Sequence, residues 1–374
     1  MKVIHVIVGL EIGGAENMLR RLIDSDIDSI SNTTVVSLTT LGTIGEVLCT
    51  QRVKVYALGM TSIFSFPVTL WRLIQIFRKF RPAIVQTWMY HADLMGGLAA
   101  IIAGCRVVWN VRSTAIPQGV MSVTYWLIRL CAIASYVIPV RIICCAQAAK
   151  DAHIKLGYVI NKMVVIPNGY DFTNFTPCLN SRAKDRAYLG FGFGDIVICT
   201  VGRFDPLKDF HNFISAASKL SAIRNDVKYV MVGRNVDASN TTLLGWIDNA
   251  GLTEKFLLLG ERSDIPSILS AIDIFCLSSV NEAFPNVVVE AMAMSVPCVV
   301  TKAGDAAEIL GDDEFVVPVQ DSGALSDALL RLCNFSLTDR VMLGEKGAKK
   351  VRKDYGINEV RKKYEKVYAE VVRK

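Results

Sequence analysis

Ile274-Phe275-Cys276-Leu277, then Ser278-Ser279-Val280-Asn281-Glu282-Ala283-Phe284-Pro285-Asn286, then Val287-Val288-Val289-Glu290-Ala291-Met292-Ala293, reads as strand, loop and helix. Four unbroken apolar residues fit a strand covered on both faces, as in a parallel sheet. Asn286 is a natural helix N-cap, which would turn the next backbone N–H groups toward a ligand. Two glutamates stand eight positions apart, Glu282 in the loop and Glu290 about one turn into an apolar helix. A carboxylate among Val, Ala and Met needs partners. For Glu290 these are either vicinal hydroxyls, such as those of a ribose, or a structural cation.

The same alternation extends both ways. Upstream of Asn168-Gly169-Tyr170-Asp171, strands are expected at Lys2 to Val8, Thr33 to Leu38, Val53 to Leu58, Ile84 to Thr87, Val107 to Val111, Arg141 to Ala146 and Val164 to Pro167. Downstream, Ile196 to Val201, Lys228 to Val232, Phe256 to Leu259, Ile274 to Leu277, Cys298 to Thr301 and Phe315 to Val317 form a second set. Helical segments fall between them, so the fold class is α/β: two Rossmann-like domains facing across a deep cleft. The expected division is 1–168, 177–355, and a charged helix, 356–374, returning toward the first domain. Apolar residues at 360, 364, 367, 368 and 371 mark its buried face.

Composition narrows the class. The 374 residues are 52% hydrophobic and 20% charged, too apolar for disorder and too long for one small module. Ten cysteines without a Cys-x-x-Cys, and four scattered histidines, read as reduced thiols without a zinc cage. The Val3 to Leu10 run lacks a small-residue cleavage site and reads as a strand rather than a signal peptide. Val120 to Ala146 is broken by Arg129, Pro139 and Arg141, too short to span a bilayer. It is expected to be a largely buried helix followed by a strand, with a helix resting on the bilayer face as the alternative.

Other motifs sit where strands end. Gly13-Gly14 precede a helix, either for close approach of an anion or for packing. Arg203 and Lys208, in Gly202-Arg203-Phe204-Asp205-Pro206-Leu207-Lys208-Asp209, either clamp a diphosphate or are solvated loop cations. Asp24-Ser25-Asp26-Ile27-Asp28 reads as a solvated helix end, and no metal site is expected.

Together, Gly13-Gly14-Ala15-Glu16, the Gly202 to Lys208 loop, Glu282-x7-Glu290 and Thr301-Lys302-Ala303-Gly304-Asp305-Ala306-Ala307-Glu308 resemble the retaining glycosyltransferases of family 4, with the GT-B architecture, of the O-antigen and capsule type. The resemblance implies a donor site of Gly13, Gly14, Arg112, Arg203, Lys208, Glu282, Phe284, Pro285, Asn286, Val287 and Glu290. In it Glu282 holds sugar hydroxyls, Phe284 to Val287 supply backbone contacts and Glu290 binds the ribose. Arg203, Lys208, Glu282 and His91 are the implied catalytic group, His91 facing the acceptor. Arg112 stands where many relatives carry a histidine.

The implied reaction is retaining, α-forming transfer of a hexose or N-acetylhexosamine from a nucleotide-diphosphate sugar, UDP-linked in the leading reading, to a lipid-linked glycan acceptor such as a polyprenyl diphosphate. No cofactor or metal is implied, the nucleotide sugar being a substrate. A nucleotide-sugar epimerase of GT-B-like fold and a non-enzymatic two-domain binding protein are the alternatives. Residues 1–170 carry 16 Lys and Arg against 8 Asp and Glu. Arg72, Arg78, Lys79 and Arg81, beside Trp71, Phe77 and Phe80, suit an anionic membrane surface or are an ordinary solvated helix face. A cytoplasmic enzyme, peripheral on the inner face of the membrane and with no nucleic-acid partner, is the expectation.

Overall fold

The computed structural model describes residues 1–114, 123–177, 179–192 and 194–373. It divides into two compact units, Met1–Asp171 with Tyr355–Lys374, and Phe172–Asp354. The first begins β1 (Val3–Ile7), α1 (Gly14–Asp24), β2 (Thr33–Ser37), α2 (Gly42–Thr50), β3 (Lys54–Ala57), α3 (Phe66–Phe80), β4 (Ile84–Trp88) and α4 (Tyr90–Ile102). It continues with β5 (Arg106–Val111), α5 (Val123–Ala134), β6 (Arg141–Cys144), α6 (Gln147–Lys155) and β7 (Met163–Val165). The second opens with α7 (Leu179–Tyr188), β8 (Ile196–Val201), α8 (Phe210–Ser221), β9 (Val227–Val232), α9 (Thr241–Asn249), β10 (Phe256–Leu258), α10 (Ile265–Ala271) and β11 (Ile274–Leu277). Then come α11 (Asn286–Ala293), β12 (Cys298–Thr301), α12 (Ala306–Leu310), β13 (Val316–Val317), α13 (Ser322–Asn334) and α14 (Leu337–Tyr355), and α15 (Ile357–Arg373) completes the first unit.

Both sheets are wholly parallel, in the orders β3-β2-β1-β4-β5-β6-β7 and β10-β9-β8-β11-β12-β13. Every residue of β1, β4 and β8 is buried, because helices cover both faces. Strand order reverses between β1 and β4 in one sheet and between β8 and β11 in the other. Ligands of such sheets bind at the strands' carboxyl ends, at these reversals.

α15 lays Val360, Tyr364, Val367, Tyr368 and Val371 into the core that includes Met18, Leu22, Val35 and Trp88. Each such burial is worth roughly 1.5–3 kcal/mol. The chain leaves the first unit beside the place where it returns: Tyr170 donates its N–H to Tyr355 O (2.8 Å), and Ile357 donates to Tyr170 O (2.9 Å).

Four expectations need correction. A helix absent from the sequence reading, α7, precedes β8, because Arg182 and Arg186 clamp Asp273 at 2.6 and 2.9 Å. The segment after Val120 is not largely buried; its start lies outside the described residues, and α5 buries only Ile128, Cys131 and Ala132. A helix laid across a sheet hides one stripe, and here the opposite stripe is also apolar. Phe77 is wholly buried rather than beside the α3 cations on the surface, and Phe80 lies under the ammonium groups of Lys54 and Lys79. The Asp24–Asp28 run is tied down in part, Asp26 meeting Arg361 at 3.8 Å.

Candidate functional site

In the second unit, the loops after five strands are bonded to one another. Gly202 donates to Val232 O, Phe204 to Arg234 O and Gly233 to Gly260 O, joining the β8, β9 and β10 loops. Across the reversal, Ser278 Oγ donates to Lys208 O (2.8 Å) and Val280 N–H to Leu207 O (2.9 Å). Thr301 Oγ1 donates to Ser279 O (2.6 Å) and Asp305 N–H to Ala283 O (3.2 Å), tying in the β12 loop. Gly304 has φ +55°, and a Cβ there would collide with the Glu282 carbonyl.

These bonds bring Lys208 and Glu282 together, with Arg203 on the same loop as Lys208. Lys208 Nζ donates to Glu282 Oε1 at 2.6 Å, and Ser279 Oγ donates to the same oxygen at 2.8 Å. The pair is largely shielded, with 21% and 13% of the two side chains exposed. Arg203 is open to solvent and rests on Asp205, its Nε 2.9 Å from Oδ2. Burial alone would raise the Asp205 carboxyl, but the Leu207 N–H and the Arg203 guanidinium hold it below the usual range. Each cation therefore rests on a carboxylate, in a form a diphosphate can replace or share.

Asn286 is the first residue of α11, and Pro285 takes the cap position, with φ −72° and ψ 92°. Proline lacks an N–H and suits the entry to a helix. The positive pole of α11 thus lies at the end of the Glu282 loop. Phe284 and Pro285 are buried, while Asn286, Val287 and Glu290 are half-buried among the interior Val288, Val289 and Ala291.

The first unit places Gly13 and Gly14 after β1 and His91 after β4, on either side of its own reversal. The Glu16 carboxylate folds over Gly13, where an added Cβ would strike it. Burial raises the Glu16 pKa, and its hydrogen bond to a backbone N–H partly offsets this. Met89 joins β4 to α4 at φ 70° and ψ 163°, a region that side chains larger than glycine's avoid. Its N–H donates to Asn110 O (3.0 Å), holding this turn against β5. The protein around His91 partly shields its ring and pulls its pKa below the ordinary value.

Arg112 lies elsewhere in the bonding pattern. It donates to Asn110 Oδ1 (2.9 Å), to Tyr364 OH (3.2 Å) and to Asn168 Oδ1, over the Trp88 ring. It thereby links the end of β5, α15 and the segment leaving the unit. Neither Met89 nor the Arg112 network carries a sequence signature; the Lys208 and Glu282 partnership spans 74 positions. Among the described residues no group of three or more His, Cys, Asp or Glu is placed to hold a metal ion. No helix of the described residues is long and apolar enough to cross a membrane.

Residues 12–174 match the model of Glycosyltransferase Family 4, and residues 181–350 that of Glycosyl transferases group 1. Over 270 residues, 70% of this chain and 68% of the relative, it is 31% identical to the UDP-Gal:alpha-D-GlcNAc-diphosphoundecaprenol alpha-1,3-galactosyltransferase of Escherichia coli. It is 24% identical over 320 residues, 82% of each chain, to the capsular polysaccharide biosynthesis glycosyltransferase CapM of Staphylococcus aureus. The crystal structure of HepE from Anabaena in complex with UDP superposes with a TM-score of 0.88 at 20% identity, covering 99% of this chain and 100% of HepE.

Proposed function

Because the chain belongs to family 4 of the glycosyltransferases, with two Rossmann-like units of the GT-B fold, we propose that it transfers a hexose or N-acetylhexosamine, with retention, from a UDP-sugar to a polyprenyl-diphosphate-linked glycan. The product would extend a surface polysaccharide of the O-antigen or capsule kind. The observation that carries the donor side is the Lys208–Glu282–Ser279 cluster, beside Arg203, at the strand reversal of the second unit. The lipid-diphosphate acceptor is supported by the substrate named for the Escherichia coli relative.

In this reading the incoming diphosphate draws Lys208 and Arg203 toward its oxygens. Glu282 then accepts hydrogen bonds from sugar hydroxyls, and Glu290 from the ribose. The bond from the anomeric carbon to the diphosphate oxygen breaks as the acceptor oxygen bonds to the same carbon from the same face. The acceptor proton passes to the departing diphosphate. The fixed cations and the positive pole of α11 stabilise the charge that develops on the leaving oxygen. His91 orients the acceptor hydroxyl. The reaction needs no metal ion and no cofactor, and it takes place on the cytoplasmic face of an anionic membrane.

The test is a panel of UDP- and GDP-sugars with and without a polyprenyl-diphosphate glycan, following nucleoside diphosphate release and product anomer. An α-linked product from a UDP-sugar, undiminished by EDTA, is expected. Arg203→Ala and Glu290→Ala should each lower kcat/KM by about 100-fold or more with unchanged thermal stability. Free epimer without an acceptor, or near-normal turnover in either variant, overturns the assignment.

A further inference from the structure

We propose that Arg352 is a positioning residue for Glu290: from α14 it holds the far end of α11 and so fixes where the Glu290 carboxylate meets the ribose of the donor. This role rests on the donor reading above and lies wholly within the second unit. α11 has eight residues, about 12 Å of helix. A helix that short has little stability of its own, so whatever grips its two ends decides where its side chains stand. One end continues from the Glu282 loop, which the Asp305 N–H ties to the β12 loop through Ala283 O. At the other, the Met294 N–H donates to the carbonyls of Glu290 and Ala291, and the Ser295 N–H to that of Met292. The next carbonyl, Ala293 O, is held from outside the helix, by Arg352 Nη2 at 3.1 Å.

Its neighbours fix the guanidinium. The same Nη2 donates to Phe175 O, and the group lies over the Phe172 ring, 5.2 Å from its centre. A long side chain held by three partners has given up the rotamer freedom that a solvated arginine keeps. The backbones also meet closely: a Cβ on Gly344 would collide with Ser295 O, and one on Gly347 would stand 3.3 Å from Met292 Cε. Lys350 Nζ donates to Glu308 O of α12 at 3.0 Å, so α14 grips the next helix as well. A cation thus sits at the negative pole of α11, where it is favoured. Glu290 precedes Ala293 by three residues, roughly 4.5 Å along the axis. Release of that end would displace the Glu290 carboxylate, and hydrogen bonds weaken beyond about 3.2 Å. Lys208 and Glu282 stand in loops bonded to their own neighbours and do not move with it. Arg352 therefore governs the ribose contact and leaves the diphosphate contact alone.

Calorimetric titration of the full chain with UDP, and with the dideoxy analogue of UDP that lacks both ribose hydroxyls, separates the two contacts. The wild type should bind UDP about tenfold or more tighter than the analogue. Arg352→Gln should reduce that preference to about threefold or less by weakening UDP, with the affinity for the analogue changed by less than about twofold. Glu290→Ala should abolish the preference, and adding Arg352→Gln to it should change neither affinity by more than about twofold. Phe172→Leu removes the ring under the guanidinium but not the charge, and should lower the preference by about two- to threefold. Unchanged melting confirms that each variant is folded, and Phe172→Leu decides the matter where Arg352→Gln is not. A folded Arg352→Gln protein that keeps the wild-type preference, or that weakens both ligands alike, overturns the role of Arg352 while Glu290→Ala still loses the preference. A wild type without the preference, or a Glu290→Ala protein that keeps it, overturns the ribose contact itself and the role of Arg352 with it.

Discussion

Met89 is the residue at which local preference and fold disagree most openly. Its φ of 70° with ψ of 163° costs of order 1–3 kcal/mol, tolerated because β5 and the first turn of α4 hold the turn from both sides. Met89→Gly should raise stability to urea by about 1 kcal/mol, glycine's greater freedom in the unfolded chain offsetting part of the gain. If the strain positions His91, turnover should fall while the fold gains. A few positions on, Asp93 is wholly buried and accepts hydrogen bonds from Thr87 Oγ1 and the Asn110 N–H. Burial raises its pKa to about 7 despite these two bonds. The folded chain thus holds this proton more tightly than the unfolded chain. The stability contributed is fully present below about pH 4 and is lost as pH rises through 7. Asp93→Asn cannot ionise, so its stability relative to wild type should increase by about 1–2 kcal/mol between pH 6 and pH 8.5, read from urea unfolding at both. His5, whose burial lowers its pKa to about 3, titrates in both proteins and largely cancels in the difference.

At the scale of elements, the loops at the carboxyl edge of the second sheet act as one body, because they are bonded to each other rather than to water. Gly304 shows this. Its φ of +55° and the Glu282 carbonyl directly beside it leave no room for a Cβ. Gly304→Ala should cost about 1–3 kcal/mol in thermal unfolding and lower activity by moving Glu282. How legible an element is in sequence follows from how it is buried. β8, β11 and β12 can be read to the residue, since burial on both faces makes each an unbroken apolar run. α14 escapes notice because it is polar along most of its length and hides little beyond Ala348, Val351 and Tyr355. α7 is fixed by two arginines on Asp273, a long-range bond that local periodicity does not encode. In the candidate site the residue types are visible as motifs. Their resting partners, Asp205 for Arg203 and Glu282 for Lys208, need the fold.

Across the whole molecule, positive charge and exposed apolar surface occur together in the first unit. The glutamate-bearing motif and its two committed cations belong to the second. The passage between the units has a consequence for synthesis. The second unit is one continuous stretch, Phe172–Asp354, whereas the first is completed only by Tyr355–Lys374. A ribosome adding about 5–20 residues per second makes the second unit in roughly 10–40 s. For that time the newly made first sheet lacks the five side chains with which α15 closes its core. Vectorial folding therefore finishes the later unit before the earlier one, whose core stays open until α15 is made.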